Sequence, residues 1–360
     1  MNHRVLHVQK VAGISGSERH LLLLLPQLRE RGWDVRFVML HENEPGAEEF
    51  AEALTSAGVP LDAVRLSTVA DPRAFAKLLA VVRRHSPTIL HTHLVHADFH
   101  GLPVGKLARV PVLVSTKHGF NPFRSWRAFA LPDRALARLA DLNIAISRGL
   151  ALYLAETEGF SADLFEIVHY GIEPGPDPPP PPDEPRLLAV GRLIPIKGFD
   201  VLLRAFEKAR SEVPQLSLEI AGTGPLEREL RSSAPRGVTF LGRVSPVTPA
   251  MERAAIVVVP SRGEGFGMVA LEASERGRAV IASSAGGLPE IVADGETGIV
   301  VPREDVDALA QAIVELASDL PRAATMGAAA RRRALSEFRQ DRCTGRTEEL
   351  YRAALARAGK

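Results

Sequence analysis

The sequence predicts an α/β protein built from two Rossmann-like, doubly wound parallel-sheet domains that face each other across a cleft. Three observations carry the prediction. Short strand-like runs such as Val35 to Leu40 and the β-branched Ile256 to Val259 alternate with helical patterns at βαβ spacing in both halves of the chain. The alternation pauses once, at 173–185, where eight of thirteen residues are proline. Glycine-rich turns recur just after strands, at the edge where an open parallel sheet binds ligands.

The chain has 360 residues, a length that suits about two domains with a core each. Lys plus Arg is 44 and Asp plus Glu is 43, so the net charge is +1. No global field draws it to nucleic acid or to a membrane, and any basic site must be local. Cys343 is the only cysteine, which excludes an intramolecular disulfide and suits a reducing compartment. Met1 to Val8 is too interrupted for a secretory signal, and the leucine run Leu21 to Leu25 is far too short to span a bilayer. The expected location is cytoplasmic.

Val5 to Val8 reads as the first strand, and Gly13 to Glu18 as a loop opening a helix that runs to Arg31-Gly32. Strands follow at Val35 to Leu40, Pro60 to Leu66, Thr88 to His91, Val112 to Ser115 and Leu142 to Ile146. Asp71 to His85 reads as a helix, with Pro72 suited to its first turn. Pro178 to Pro182 predicts a polyproline II rod, an interdomain linker or else a long surface loop. A second strand series runs through Arg186 to Val190, Ser217 to Ala221, Val238 to Leu241, Ile256 to Val259, Val280 to Ala282 and Ile299 to Val301. Helical segments close the chain. The expected division is a first Rossmann-like domain at 1–172, a proline-rich linker at 173–185, a second Rossmann-like domain at 186–340 and a last helix at 341–360.

The stretch Pro260-Ser261-Arg262-Gly263-Glu264-Gly265-Phe266-Gly267 leaves a strand and enters a helix carrying Glu272. Gly265 and Gly267 let the backbone approach a ligand, and the helix start offers N–H groups to an anion. The bland alternative is an ordinary βα turn with Glu272 solvated. Gly191 to Gly198 carries Arg192, suited to grip a phosphate with two bonds, and Lys197, a point charge. Two such cations can stabilise a diphosphate leaving group without a metal, and the order Lys-Gly excludes a Walker P-loop. Gly222-Thr223-Gly224 alone is a tight turn, and Glu290 in Ser284 to Val292 suits a helix start.

His91, His93, His96 and His100 invite a zinc reading, but no carboxylate or cysteine stands with them at metal spacing. Asp305-Val306-Asp307 has the form of an Asp-x-Asp metal motif, yet its position after Pro302 suits a helix cap. Phe123 to Arg138 is locally basic and aromatic. It reads either as a helix with core aromatics and solvated arginines or as a peripheral membrane contact at the inner face.

The 260–273 stretch resembles the two-glutamate motif of retaining glycosyltransferases of family 4 (glycosyltransferase group 1), which have the two-domain GT-B architecture. Gly191 to Gly198 is similar to that family's diphosphate-binding turn, and Ser15-Gly16-Ser17-Glu18 to its first-loop pattern with serine in place of the first glycine. The resemblance implies a sugar transfer from a nucleotide-diphosphate sugar, with UDP expected because such donors are common in the family. The acceptor would be a hydroxyl of a sugar or of a lipid-linked glycan, with no cofactor, no metal and no nucleic acid. Arg192 and Lys197 would hold the diphosphate, Glu272 the ribose and Glu264 the donor sugar. Gly222, Gly224, Arg243, Gly265, Phe266 and Gly267 would line the nucleotide site. Gly16 would admit the diphosphate or acceptor, and His118 would meet the donor sugar near its reacting carbon. The last helix would cross back to the first domain. Tyr170-Gly171 stands where the family often has Asn-Gly, a departure that bears on the hinge. Two other readings remain, a nucleotide-sugar 2-epimerase of the same architecture and a non-catalytic partner subunit.

Overall fold

A computed structural model describes residues 3–68, 71–120 and 133–359. The chain forms two units, one of Met1–Gly171 with Gln340–Lys360 and the other of Ile172–Arg339.

The first unit holds a seven-stranded sheet in the order β3-β2-β1-β4-β5-β6-β7, parallel throughout. Its strands are β1 Arg4–Lys10, β2 Asp34–His41, β3 Leu61–Arg65, β4 Ile89–His93, β5 Val112–Lys117, β6 Leu142–Ala145 and β7 Phe165–Ile167. Strand β4 runs two residues further than its apolar pattern predicts, because His91 and His93 alternate onto one covered face. That face also carries Val5, Ile89, Val112 and Ile144, packed beneath helices Gly16–Glu30 and Gln340–Arg357. The opposite face packs against helices Pro72–His85 and Leu94–Leu107. Asp71 caps the former by accepting from the N–H groups of Arg73 and Ala74.

The final helix belongs to this unit. Tyr351 is wholly buried, Trp33 Nε1 donates to Glu348 at 3.1 Å, and Thr344 Oγ1 donates to Gln27 Oε1 at 2.8 Å.

The second unit holds a six-stranded parallel sheet in the order β10-β9-β8-β11-β12-β13. These strands are β8 Arg186–Val190, β9 Ser217–Ala221, β10 Val238–Gly242, β11 Ile256–Val259, β12 Ala279–Ser283 and β13 Gly298–Val301. Helices Phe199–Glu212, Val306–Ser318 and Leu320–Glu337 close one core over it.

The proline-rich stretch is part of the second unit rather than a free tether. A polyproline backbone makes no internal hydrogen bonds, so its carbonyls accept from side chains. Arg278 donates to Pro179 O at 3.0 Å, and Arg331 pairs with Asp177 at 2.7 Å.

Each sheet reverses its strand order once, between β1 and β4 and between β8 and β11. In an open α/β sheet the carboxyl ends of strands at such a reversal form the ligand crevice. Among the described residues no helix is long and apolar enough to cross a membrane.

Candidate active site

In the second unit the turns after β8 and β11 flank the strand reversal and touch each other. Gly198 makes this contact possible. Its φ of 68° lies in the left-handed region, and a Cβ there would stand 2.1 Å from Pro260 O. The Ile256–Val259 strand then delivers Glu264, and helix Met268–Glu275 begins at Gly267, whose φ is 114°. Half-buried Glu264 accepts from Lys197 Nζ at 2.6 Å and from Ser261 Oγ at 3.2 Å. Arg192, on the same turn as Lys197, is exposed, and no carboxylate among the described residues lies within ion-pair distance of it.

The structure thus brings Lys197 and Glu264 into contact and sets Arg192 and Glu272 on the turn and helix beside them. Gly222 and Gly224 follow β9 and have a packing reason to be glycine. Their Cβ atoms would come 1.9 Å from Gly191 O and 2.5 Å from Leu193 O. They hold the β9 turn against the β8 turn. Arg243 is exposed at the exit of β10, next to Gly242, whose carbonyl accepts from Gly222 N–H at 2.7 Å. Phe266, expected among the ligand contacts, is only 2% exposed, with its ring edge-on to Phe338 at 5.8 Å. Its side chain packs in the core. Gly265 and Gly267 are buried in the same turn.

One arginine in this turn carried no role in the sequence reading. Arg262 grips Asp200 with two bonds of 2.8 and 2.7 Å and reaches Glu304 at 2.8 Å. The bonds to Asp200 hold the Arg262 guanidinium above its usual range and the Asp200 carboxyl below its own. An arginine two residues before Glu264 is the signal that would have flagged it.

In the first unit Gly16 opens helix Gly16–Glu30, and a Cβ there would meet nothing within 4 Å. Ser15 N–H donates to Glu18 Oε2 at 3.1 Å, closing a capping box. His118 is half-buried after β5, and both of its ring nitrogens are occupied. Nε2 faces His93 Nδ1 at 2.8 Å and Nδ1 faces the Tyr170 hydroxyl. The line continues from His93 Nε2 to His7 Nδ1 at 2.9 Å. His20 stacks on Tyr170 with centroids 4.3 Å apart, and His91 Nε2 meets Thr116 Oγ1 at 2.6 Å.

Burial pushes the imidazolium form out of this cluster. It lowers His7 and His20 to about 3, with the field of His20 adding to the effect at His7. His91 and His93 fall well below their ordinary value through burial and neighbouring histidines, and His118 through burial, His20 and Lys117.

The histidine group read from sequence is therefore regrouped. His91 and His93 share the covered sheet face with His7, whereas His100 Nδ1 bonds to His96 O on helix Leu94–Leu107. His7 and His20 were missed because they lie far from β4 in the chain. His7, His91 and His93 place ring nitrogens within 4.8 Å of one another, the one such trio among the described residues. Those of His93 are turned on His7 and His118, and those of His91 on Thr116 and Tyr351.

Residues 14–175 match the family described as Glycosyltransferase Family 4, and residues 184–319 match Glycosyl transferases group 1. The chain is 32% identical over 338 residues to the GDP-mannose-dependent alpha-(1-6)-phosphatidylinositol monomannoside mannosyltransferase of Mycolicibacterium smegmatis. That match covers 85% of this chain and 87% of the relative. The chain belongs to the family 4, group 1 glycosyltransferases. A second relative of this glycosyltransferase, the alpha-maltose-1-phosphate synthase of the same organism, is 30% identical over 78% of this chain and 83% of its own. Among solved structures, HepE of Anabaena in complex with UDP and glucose superposes with a TM-score of 0.83 at 20% identity, covering 98% of this chain and 100% of that one. The fold is GT-B.

In this glycosyltransferase the Asp305-Val306-Asp307 stretch is a helix cap. Asp305 accepts from the N–H groups of Asp307 and Ala308 at the start of Val306–Ser318, and Asp307 pairs with Lys208. Of the basic aromatic segment, residues 123–132 lie outside the described residues.

Proposed function

We propose that this glycosyltransferase is a retaining enzyme that takes its sugar from a nucleotide-diphosphate donor and uses protein cations, rather than a divalent metal, to stabilise the leaving group. The observation that carries this reading is the 2.6 Å contact between Lys197 and Glu264 at the β8/β11 reversal, with Arg192 exposed on the same turn. As the glycosidic bond breaks, charge grows on the diphosphate. Preorganised cations lower that barrier because they need not reorganise during the step. Lys197 would leave Glu264 for the β-phosphate, which frees Glu264 to accept from hydroxyls of the donor sugar. Arg192 grips the second phosphate, and Glu272 accepts from the ribose. The departing phosphate takes the acceptor proton, so no side chain is needed as general base. His118 suits that scheme, being neutral with both nitrogens engaged inside its own unit.

The names of similar proteins bear on the nucleotide. The mannosyltransferase relative is GDP-mannose-dependent and HepE was solved with UDP. We extend to this chain the nucleotide-diphosphate class that the two share, with UDP as the expected nucleotide. The acceptor is proposed to be a sugar or a lipid-linked glycan, and the protein to be cytoplasmic with peripheral contact to the inner face of the membrane.

The test is turnover of UDP-, GDP- and ADP-sugars by the purified protein, with nucleotide release and the anomeric configuration of the product followed by NMR. One donor consumed with retained configuration supports the reading. An inverted product, an epimerised nucleotide sugar, or activity abolished by EDTA and restored by a divalent cation would overturn it.

A further inference from the structure

We infer that Arg262 is the positioning residue that sets Lys197 against Glu264. It would touch neither donor nor acceptor. The inference rests on the proposed donor role of that pair.

The geometry brackets the pair from both sides. Arg262 lies two residues before Glu264, and its anchors include Pro195 and Ile196, the two residues before Lys197. Arg262 Nη1 donates to Pro195 O at 2.6 Å, and its backbone N–H donates to Ile196 O at 2.8 Å. The same guanidinium holds Asp200 at the start of helix Phe199–Glu212 and Glu304 on the turn after β13. One planar side chain therefore ties its own turn to the 195–200 stretch and to the turn after β13, using the fork of donors that only arginine carries. Gly198 completes the lock by letting its turn close on Pro260.

The pair itself has no such rigidity. The side chains of Lys197 and Glu264 are 23% and 15% exposed, and a lysine is a flexible stem with a rotating point charge. An ion pair that still reaches solvent contributes little by itself to holding a fixed geometry. Its placement must come from the turns that carry it, and Arg262 joins those turns. A misplacement of about 1 Å at a reacting centre costs on the order of 100-fold in rate.

The experiment uses the full chain with Arg262→Lys, which keeps the charge and loses the fork, and Asp200→Asn as a second variant should the first not fold. Two readouts are taken. With the donor that wild type consumes, kcat should fall about 10- to 100-fold with KM within about threefold. The partly exposed network should cost little stability, so Tm should shift by only roughly 2–4 °C. Acetylation of the Lys197 amine, followed by peptide mass spectrometry without any donor, should speed up about threefold or more as the amine leaves Glu264. A kcat within about twofold of wild type in a folded variant overturns the inference, whatever the labelling shows. An unchanged Lys197 labelling rate overturns it also. A wild type inert to every donor, with faster labelling in the variant, supports the positioning and overturns only the donor reading.

Discussion

The two strand reversals of this glycosyltransferase are built with opposite electrostatics. At β8/β11 the side chains are charged and partly open to solvent, with Arg192 exposed and Lys197 and Glu264 paired at a half-buried position. At β1/β4 they are neutral, a line of imidazoles from buried His7 and His93 to half-buried His118 that ends on a phenol. The difference follows from solvation. A charge that must trade one partner for another needs water and mobile neighbours nearby. Five imidazoles crowded together, three on the covered sheet face and two on the helix and loop beside it, would repel one another if protonated, and burial keeps them neutral. On the proposed reading, one reversal exchanges partners and the other holds a shape.

The largest expected effect tests the charged side. Lys197→Ala should lower turnover by roughly 100- to 1,000-fold, the range seen when one preorganised stabilising donor is removed. Because the pair is solvent-screened, Tm should change by only a few degrees. Steady-state kinetics beside a thermal melt decide the matter, and a near-wild-type kcat breaks the comparison.

The neutral side should show itself in acid. The folded pKa of His7 and His20 is near 3, below the ordinary 6.5, so the unfolded chain binds more protons as pH falls. Stability contributed by each is present above about 6.5 and is lost as pH drops from there toward 3, at up to about 1.4 kcal/mol per pH unit per histidine. Urea denaturation at pH 7.5 and 5.5 should place the first unit's midpoint clearly lower in acid. A midpoint that does not move would show that the cluster is charged or solvated. The first strand's His7 and the helix residue His20 enter this prediction only through their place in the fold. Nothing in their local sequence marks them.

The smallest effect sharpens the charged side by exclusion. Asp305→Ala should cost about 1 kcal/mol of stability, the usual worth of an N-cap, and leave turnover unchanged. A loss of activity reversed by a divalent cation would reopen the metal reading of Asp305-Val306-Asp307.

Much of the second reversal is legible in the sequence. Arg192, Lys197, Glu264 and Glu272 each sit in a short motif of strand, turn and helix, and such motifs are written in consecutive residues. Phe266 shows where that legibility stops. It stands inside the motif, yet its ring turns inward onto Phe338. Gly222 and Gly224 show the same limit from the other direction, since their glycine character is accounted for by the approach of the Gly191 and Leu193 backbone.

What the sequence determined by itself is whatever depends on local pattern. Alternating strand and helix demanded parallel sheets, a glycine-rich turn after a strand marked the ligand edge, and an aspartate before an apolar-periodic run marked a cap. What only the tertiary structure decided is whatever depends on which strands become neighbours. His7 meets His93 across 86 residues of chain because β1 lies beside β4, and Lys197 meets Glu264 across 67 because β8 lies beside β11. Strand order is set by the packing of the two sheet faces and not by any short stretch, so contacts that follow from it leave no local signature.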